Sequence, residues 1–214
     1  MDYAAFRSFR DLTVREREVL RADCMNPAKA LARWRHAPAD LAVDTDATRA
    51  LAAWTAASGL AIAHDRMVAG EGVRDLLRAL LDIIDITELW LPEDVYPVYW
   101  QLASSTTPRP FATLPDLDLG FLADAGAHAV VVLPAPVTPL GRALRPDELA
   151  TLHAWLLASP ARRLVIDAVY TYDFAASRDM VETLLATDQC VLLWSCTKSW
   201  LCPDGLGIAA GPRS

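Results

Sequence analysis

Residues 190–198 read Cys-Val-Leu-Leu-Trp-Ser-Cys-Thr-Lys, and residues 163–170 read Arg-Leu-Val-Ile-Asp-Ala-Val-Tyr. The apolar runs Val191–Trp194 and Arg163–Ile166 read as buried strands. Each is followed at once by chemistry-bearing side chains. Asp167 and Tyr170 leave the first strand end, and Ser195, Thr197 and Lys198 leave the second. In a parallel sheet both ends lie on one edge, the edge at which α/β proteins bind ligands. Lys198 is one of only two lysines, the other being Lys29, among 20 Lys+Arg. In a chain that otherwise uses arginine, a lysine directly after a strand is a poor candidate for an incidental residue.

Working outward from these strands, the chain alternates. Residues 1–35 read as helical and amphipathic, with Phe6, Phe9, Leu12, Val19 and Leu20 as apolar points. Asn26-Pro27 marks a break and a helix start. A helix over 45–58 is capped by Asp44 or Thr45 and closed by Gly59. A short strand, Arg66–Ala69, leads through Gly70-Glu71-Gly72 into a helix over 73–82 with Val73, Leu76, Leu77, Leu80 and Leu81 on one face. Strands follow at Ile86–Leu91, Pro108–Phe111, Val130–Leu133, Arg163–Ile166, Cys190–Trp194 and Leu206–Ala210. Helices are expected from Tyr96 toward Ala103, over Leu117–Ala123, over Arg145–Leu157 with Pro146 near its start, and over Arg178–Ala186. This alternation predicts an α/β three-layer sandwich, with a mostly parallel sheet of roughly seven strands and helices on both faces. The expected division is an N-terminal helical segment, 1–43, and one large domain, 44–214.

Composition bounds the function. Hydrophobic residues make up 53% of the 214 and charged residues 22%, so the chain can build a sizeable core. The formal charge of −7 comes without a basic stripe, which argues against a nucleic-acid partner. The longest apolar run, Ala127–Pro136, includes His128 and is far too short to span a membrane. Cys24, Cys190, Cys196 and Cys202 form no C-x-x-C pair and no secretory signal opens the chain, so free thiols in a reducing cytoplasm are expected. Cys196 and Cys202 flank Lys198, but small buried residues explain them better than metal ligation does. His36, His64, His128 and His153 show no metal-ligand spacing, so no metal site is expected.

An amine, a carboxylate, a phenol and a hydroxyl on one sheet edge suit pyridoxal 5'-phosphate: the amine forms a Schiff base and the acid pairs with the pyridinium nitrogen. Each residue taken alone has a plainer explanation. Gly-x-Gly is a common tight turn, Tyr96 and Tyr99 stand at ordinary packing spacing, Asp167 could cap a helix, and Lys198 could lie on the surface. The plain explanations do not account for all of them falling at strand ends on one expected edge.

Five segments in order resemble the fold-type I pyridoxal-phosphate enzymes, in particular aminotransferases of the histidinol-phosphate aminotransferase type. They are Gly70-Glu-Gly-Val-Arg-Asp-Leu-Leu77, Pro92-Glu-Asp-Val-Tyr96-Pro-Val-Tyr99, Pro136-Val-Thr138-Pro-Leu-Gly141, Asp167-x-x-Tyr170 and Ser195-x-x-Lys198. The resemblance runs from about Asp44 to Gly211. It implies Lys198 as the Schiff-base lysine and proton shuttle. It implies Asp167 on the ring nitrogen, Tyr170 and Thr138 near the ring's O3′, and Tyr96 stacked on the ring face. Gly70, Glu71 and Gly72 would lie at the phosphate with Ser195 and Thr197, where a helix N-terminus favours an anion.

The chain departs from the family pattern in places. Gly207 stands where the family carries a phosphate-gripping arginine, which should weaken cofactor affinity unless another arginine substitutes. Thr138 replaces an asparagine. Val43-Asp44 occupies roughly the place of the tyrosine that family members lend to the partner subunit's phosphate. The C-terminal small domain, which normally supplies the arginine for the substrate carboxylate, does not follow the strand at Leu206–Ala210. The resemblance implies an aminotransferase acting on an amino acid and possibly a 2-oxo acid, with a homodimer or a second chain completing the site. The alternatives are a cyclase or lyase of secondary metabolism, and a degenerate homologue serving as a binding or regulatory subunit.

Overall fold

Period-two alternation in the apolar strands places side chains on both faces of a sheet, and that sheet organises the molecule. The computed structural model describes residues 47–84, 86–103, 106–171, 174–195 and 207–212. Within them the strands are β1 (Met67–Gly70), β2 (Glu88–Pro92), β3 (Arg109–Phe111), β4 (Ala129–Pro134), β5 (Arg163–Asp167), β6 (Cys190–Ser195) and β7 (Gly207–Ala210). They form one seven-stranded sheet in the order β1-β7-β6-β5-β4-β2-β3. All neighbouring pairs from β3 to β6 are parallel, whereas β7 is antiparallel to both β6 and β1. The C-terminal ends of β1 to β6 and the N-terminal end of β7 therefore share one edge.

The helices are α1 (Ala47–Ser58), α2 (Val73–Ile83), α3 (Val98–Leu102), α4 (Pro146–Leu157) and α5 (Arg178–Leu185). Ala129, Val131 and Leu133 of β4 pack with Trp54 of α1, Leu152 and Leu156 of α4, and Val181 and Leu184 of α5. Val130 and Val132 of the same strand pack with Leu77 and Leu81 of α2 and with Val98 and Tyr99 of α3. Both faces of the sheet are thus covered, giving the expected three-layer α/β arrangement. Burying a strand on both faces requires continuous apolar residues rather than an apolar-polar alternation, and β4 is buried at every position from Ala129 to Pro134.

Two local expectations are corrected. The stretch Leu117–Ala123 is not an α-helix; only a 3-10 turn forms, over Gly120–Ala123. Asp116 Oδ1 accepts the Leu117 amide and Asp118 Oδ1 accepts the Gly120 amide, so carboxylates take the donors that a helix start would use. The helix expected from Tyr96 begins at Val98, with Pro97 as its N-cap. The last strand is antiparallel to its neighbours, which a short apolar run does not announce. The N-terminal segment 1–43, Thr197 and Lys198 lie outside the described residues.

Candidate active site

Three strands bring the first part of the site together. Gly207, the first residue of β7, is paired with Gly70 at the end of β1 on one side and with Ser195 at the end of β6 on the other. Asp167 at the end of β5 is paired with Leu193 of β6 and Pro134 of β4. Gly70, Ser195 and Asp167 thus stand along the same edge. β1 and β5 are three strand spacings apart, about 14 Å, so residues at the two ends can be joined only by a ligand or by long side chains between them. Lys198, three residues beyond Ser195 in sequence, lies outside the described residues.

Asp167 is 5% exposed. Its Oδ1 accepts the Val169 amide at 2.9 Å; among the described residues its other oxygen has no hydrogen-bond partner. Burial pushes the carboxyl up to about 7, against the smaller downward pull of the Val169 amide. A buried carboxylate with half of its acceptor capacity unused is costly unless a cation or donor meets it. The chemistry of this group fits a protonated ring nitrogen.

The turn Gly70-Glu71-Gly72 lies between β1 and α2. Gly72 is the N-cap of α2 at φ +113° and ψ 169°, a conformation that L side chains rarely adopt. The first bond of α2 runs from the Leu76 amide to the Gly72 carbonyl. The amides of Val73, Arg74 and Asp75 therefore have no partner within the helix, and the helix dipole gives this end a partial positive charge. A Cβ at Gly207 would sit 2.5 Å from Gly72 Cα, 2.6 Å from its carbonyl carbon and 2.7 Å from its nitrogen. Backbone lies against backbone here, and position 207 has no room for any side chain. A larger residue at 207, arginine included, would require the Gly72 backbone to move.

The loop after β4 carries Thr138, which is half-buried. The Val137 amide donates to the Arg142 carbonyl at 2.8 Å, and the Gly141 amide to the Val137 carbonyl at 2.7 Å, with Gly141 at φ +69°. The Ala135-Pro136 and Thr138-Pro139 peptides are cis. Tyr96, after β2, and Tyr170, after β5, are exposed at 38% and 44%. Ser195 is buried, and Glu71 is exposed.

Sequence reasoning missed two supporting groups. Thr171 is buried, and its Oγ1 donates to the Ala135 carbonyl at 2.7 Å while its own carbonyl accepts the Trp194 indole N–H at 3.2 Å. The Ala135 amide in turn donates to the Asp167 carbonyl at 2.9 Å. These bonds tie the ends of β4, β5 and β6 together around Asp167. A threonine next to the tyrosine of Asp-x-x-Tyr was the only sequence signal. The second group is a charge network. Arg142 donates to both oxygens of Glu148 at 2.8 and 2.7 Å and to Asp116; the Arg145 guanidinium donates to Asp116 and pairs with Glu148, which also accepts the Arg145 amide. Arg145 and Arg142 hold the Asp116 carboxyl down to about 2. Hydrogen bonding from Arg142 likewise lowers Glu148, which is 4% exposed. The network fixes the Thr138 loop to the start of α4. The acidic first turn after Pro146 hinted at a helix start but not at the loop it would hold.

Among the described residues no group of His, Cys, Asp and Glu could hold a metal ion. No described helix is long and apolar enough to cross a membrane.

No protein-family model matches the chain, and no curated protein matches it. Solved structures do. YbdL from Escherichia coli, identified as having a methionine aminotransferase function, matches with a TM-score of 0.65 at 17% identity, over 86% of this chain and 54% of that one. The aspartate aminotransferase from Rhizobium meliloti matches with a TM-score of 0.62 at 17% identity, over 87% and 52%. The pyridoxal-phosphate-bound C-S lyase from Staphylococcus hominis matches with a TM-score of 0.65 at 13% identity, over 86% and 54%. The chain spans about half the length of the structures it matches. With its seven-stranded, mostly parallel sheet covered on both faces, this chain has the fold of the large domain of the fold-type I pyridoxal-phosphate-dependent enzymes.

Proposed function

We propose that the chain binds pyridoxal phosphate and acts on an amino acid, with transamination as the reaction. Residues 44–214 would be the cofactor-binding domain and 1–43 a helical extension. The observation that carries this reading is Asp167: a carboxylate 5% exposed at the end of β5, with one oxygen bonded only to the Val169 amide and the other without a described partner. A protonated ring nitrogen supplies the missing donor and the counter-charge together. When bound, pyridoxal phosphate supplies an electron sink for the electron pair left at the substrate's α-carbon.

The chain's own residues do the rest. Asp167 accepts the ring N–H and keeps that nitrogen charged. The Tyr170 phenol and the Thr138 hydroxyl donate toward the ring's O3′, and Tyr96 covers a ring face. Ser195, Thr197 and the turn Gly70-Glu71-Gly72 with the first amides of α2 receive the phosphate. The Lys198 amine holds the cofactor and carries the proton to and from the substrate's α-carbon. Elimination at the β-carbon is the second reading, because the C-S lyase shares the fold to the same extent as the aminotransferases.

The test is to incubate the full chain with pyridoxal phosphate, reduce with borohydride and map the labelled peptide. The expected result is visible absorbance before reduction and a single label on Lys198, with neither in Lys198→Ala. Label on Lys29, or no absorbance with excess cofactor, would reject the reading. Supplying amino acids then separates the two chemistries: transamination yields a 2-oxo acid without free ammonia, and elimination releases ammonia.

A further inference from the structure

We infer that Thr171 is a positioning residue for Asp167: its hydroxyl takes over a strand-end carbonyl and so leaves the Val169 amide to hold the Asp167 carboxylate. The inference rests on the cofactor reading above, in which that carboxylate meets the ring nitrogen, and adds a residue that acts through it. Its starting point is the way the ladder between β4 and β5 ends.

The two strands are parallel, with Leu133 opposite Ile166 and Pro134 opposite Asp167. One step further, this register sets Ala135 against Ala168. In a parallel ladder a residue so placed donates to the residue before its partner and accepts from the residue after it. The first bond is made: the Ala135 amide donates to the Asp167 carbonyl at 2.9 Å. The second would run from the Val169 amide to the Ala135 carbonyl. Instead the Val169 amide donates to Asp167 Oδ1 at 2.9 Å, and the Ala135 carbonyl accepts the Thr171 hydroxyl at 2.7 Å. Two donors have changed places at the strand end that carries Asp167.

Ala135, Asp167 and Thr171 are all buried. A backbone carbonyl left there without a donor is costly, so diverting the Val169 amide requires a substitute. The chain supplies it within one turn. The Thr171 amide donates to the Ala168 carbonyl at 2.8 Å, which folds the chain back toward the strand end. The Trp194 indole N–H donates to the Thr171 carbonyl at 3.2 Å, which fixes the turn to β6. Among the described residues the Val169 amide is the one donor to the Asp167 carboxylate. The orientation of that carboxylate therefore depends on the amide staying off the ladder. With the Thr171 hydroxyl removed, the amide is drawn back to the Ala135 carbonyl and the carboxylate is released.

The test titrates the full chain, by tryptophan fluorescence, with pyridoxal phosphate and with its deaza analogue, which carries C–H in place of the ring nitrogen. The proteins are wild type, Thr171→Val, which keeps the side chain's shape and loses the donor, and Thr171→Ser, which keeps the donor. Thr171→Val should weaken pyridoxal phosphate by about 10-fold and leave the deaza analogue unchanged, which also shows that the variant is folded. Thr171→Ser should bind both as wild type does. Should Thr171→Val not fold, Thr171→Cys, whose thiol is a weak donor, takes its place in the same comparison. A variant without the hydroxyl that binds pyridoxal phosphate within about twofold of wild type, or that loses both ligands equally, would overturn the Thr171 assignment and leave the cofactor reading standing. A wild type that binds neither ligand would overturn both.

Discussion

At the residue scale the protein turns on Asp167, because its burial sets a measurable pH dependence. Burial pushes its carboxyl up to about 7 from the ordinary carboxylate value of 3.8. Between those two values the folded, cofactor-free protein keeps a proton that the unfolded chain has lost. Stability therefore falls as pH rises through that window and levels off above it. Asp167→Asn keeps an acceptor for the Val169 amide and removes the titration. In urea denaturation without cofactor, the variant should gain on wild type at pH 8, by on the order of 2 kcal/mol, and show no gain near pH 4. Added pyridoxal phosphate should reverse the ranking at pH 8, since only the carboxylate can offset a ring-nitrogen cation. A variant whose stability follows the wild-type pH profile would discard this account. The sequence pointed to Asp167 through its place after an apolar strand. It could not show that, among the described residues, the Val169 amide alone would donate to it.

At the element scale the decisive contact lies between a strand and a turn that are 135 residues apart in sequence. β7 enters the sheet antiparallel, between β1 and β6, and its first residue comes up against Gly72. Gly207→Ala forces two stretches of backbone apart and should cost about 1–3 kcal/mol, read as a lower urea midpoint at unchanged slope. Gly70→Ala makes a useful contrast. Its Cβ would meet the Leu76 Cδ2 at 2.7 Å, the end of a side chain that can rotate, so the loss should be smaller. Equal losses for the two substitutions would show that the Gly72 backbone is not what fills the space at 207. The Arg142–Glu148–Asp116 network works at the same scale. It ties the Thr138 loop and the adjoining start of α4 to the turn before Gly120, which sequence order keeps apart from both.

At the scale of the whole molecule, surface and composition bear on association. Val68 on the edge strand β1 is 62% exposed, and Ile83 and Leu157 are 79% and 61% exposed. A sheet edge with an open apolar residue invites cover, and the resemblance implies a site completed by a second subunit. Sedimentation of the full chain at micromolar concentration is expected to give a species heavier than the 23.4 kDa monomer; a clean monomer would count against association. The sequence by itself determined the class of the fold. Continuous apolar runs alternating with amphipathic helices are buried as a mostly parallel sheet covered on both faces, and strand ends followed by Asp167, Ser195 and Lys198 marked the edge proposed as the site. These are local properties, readable from the periodicity of side chains along one segment. Only the tertiary structure decided the antiparallel insertion of β7, the contact that leaves no room for an arginine at Gly207, and the threonine and arginine bonds that hold the loops around Asp167. Each of these depends on which distant segments become neighbours, and the energy that selects them belongs to pairs of segments rather than to either one alone.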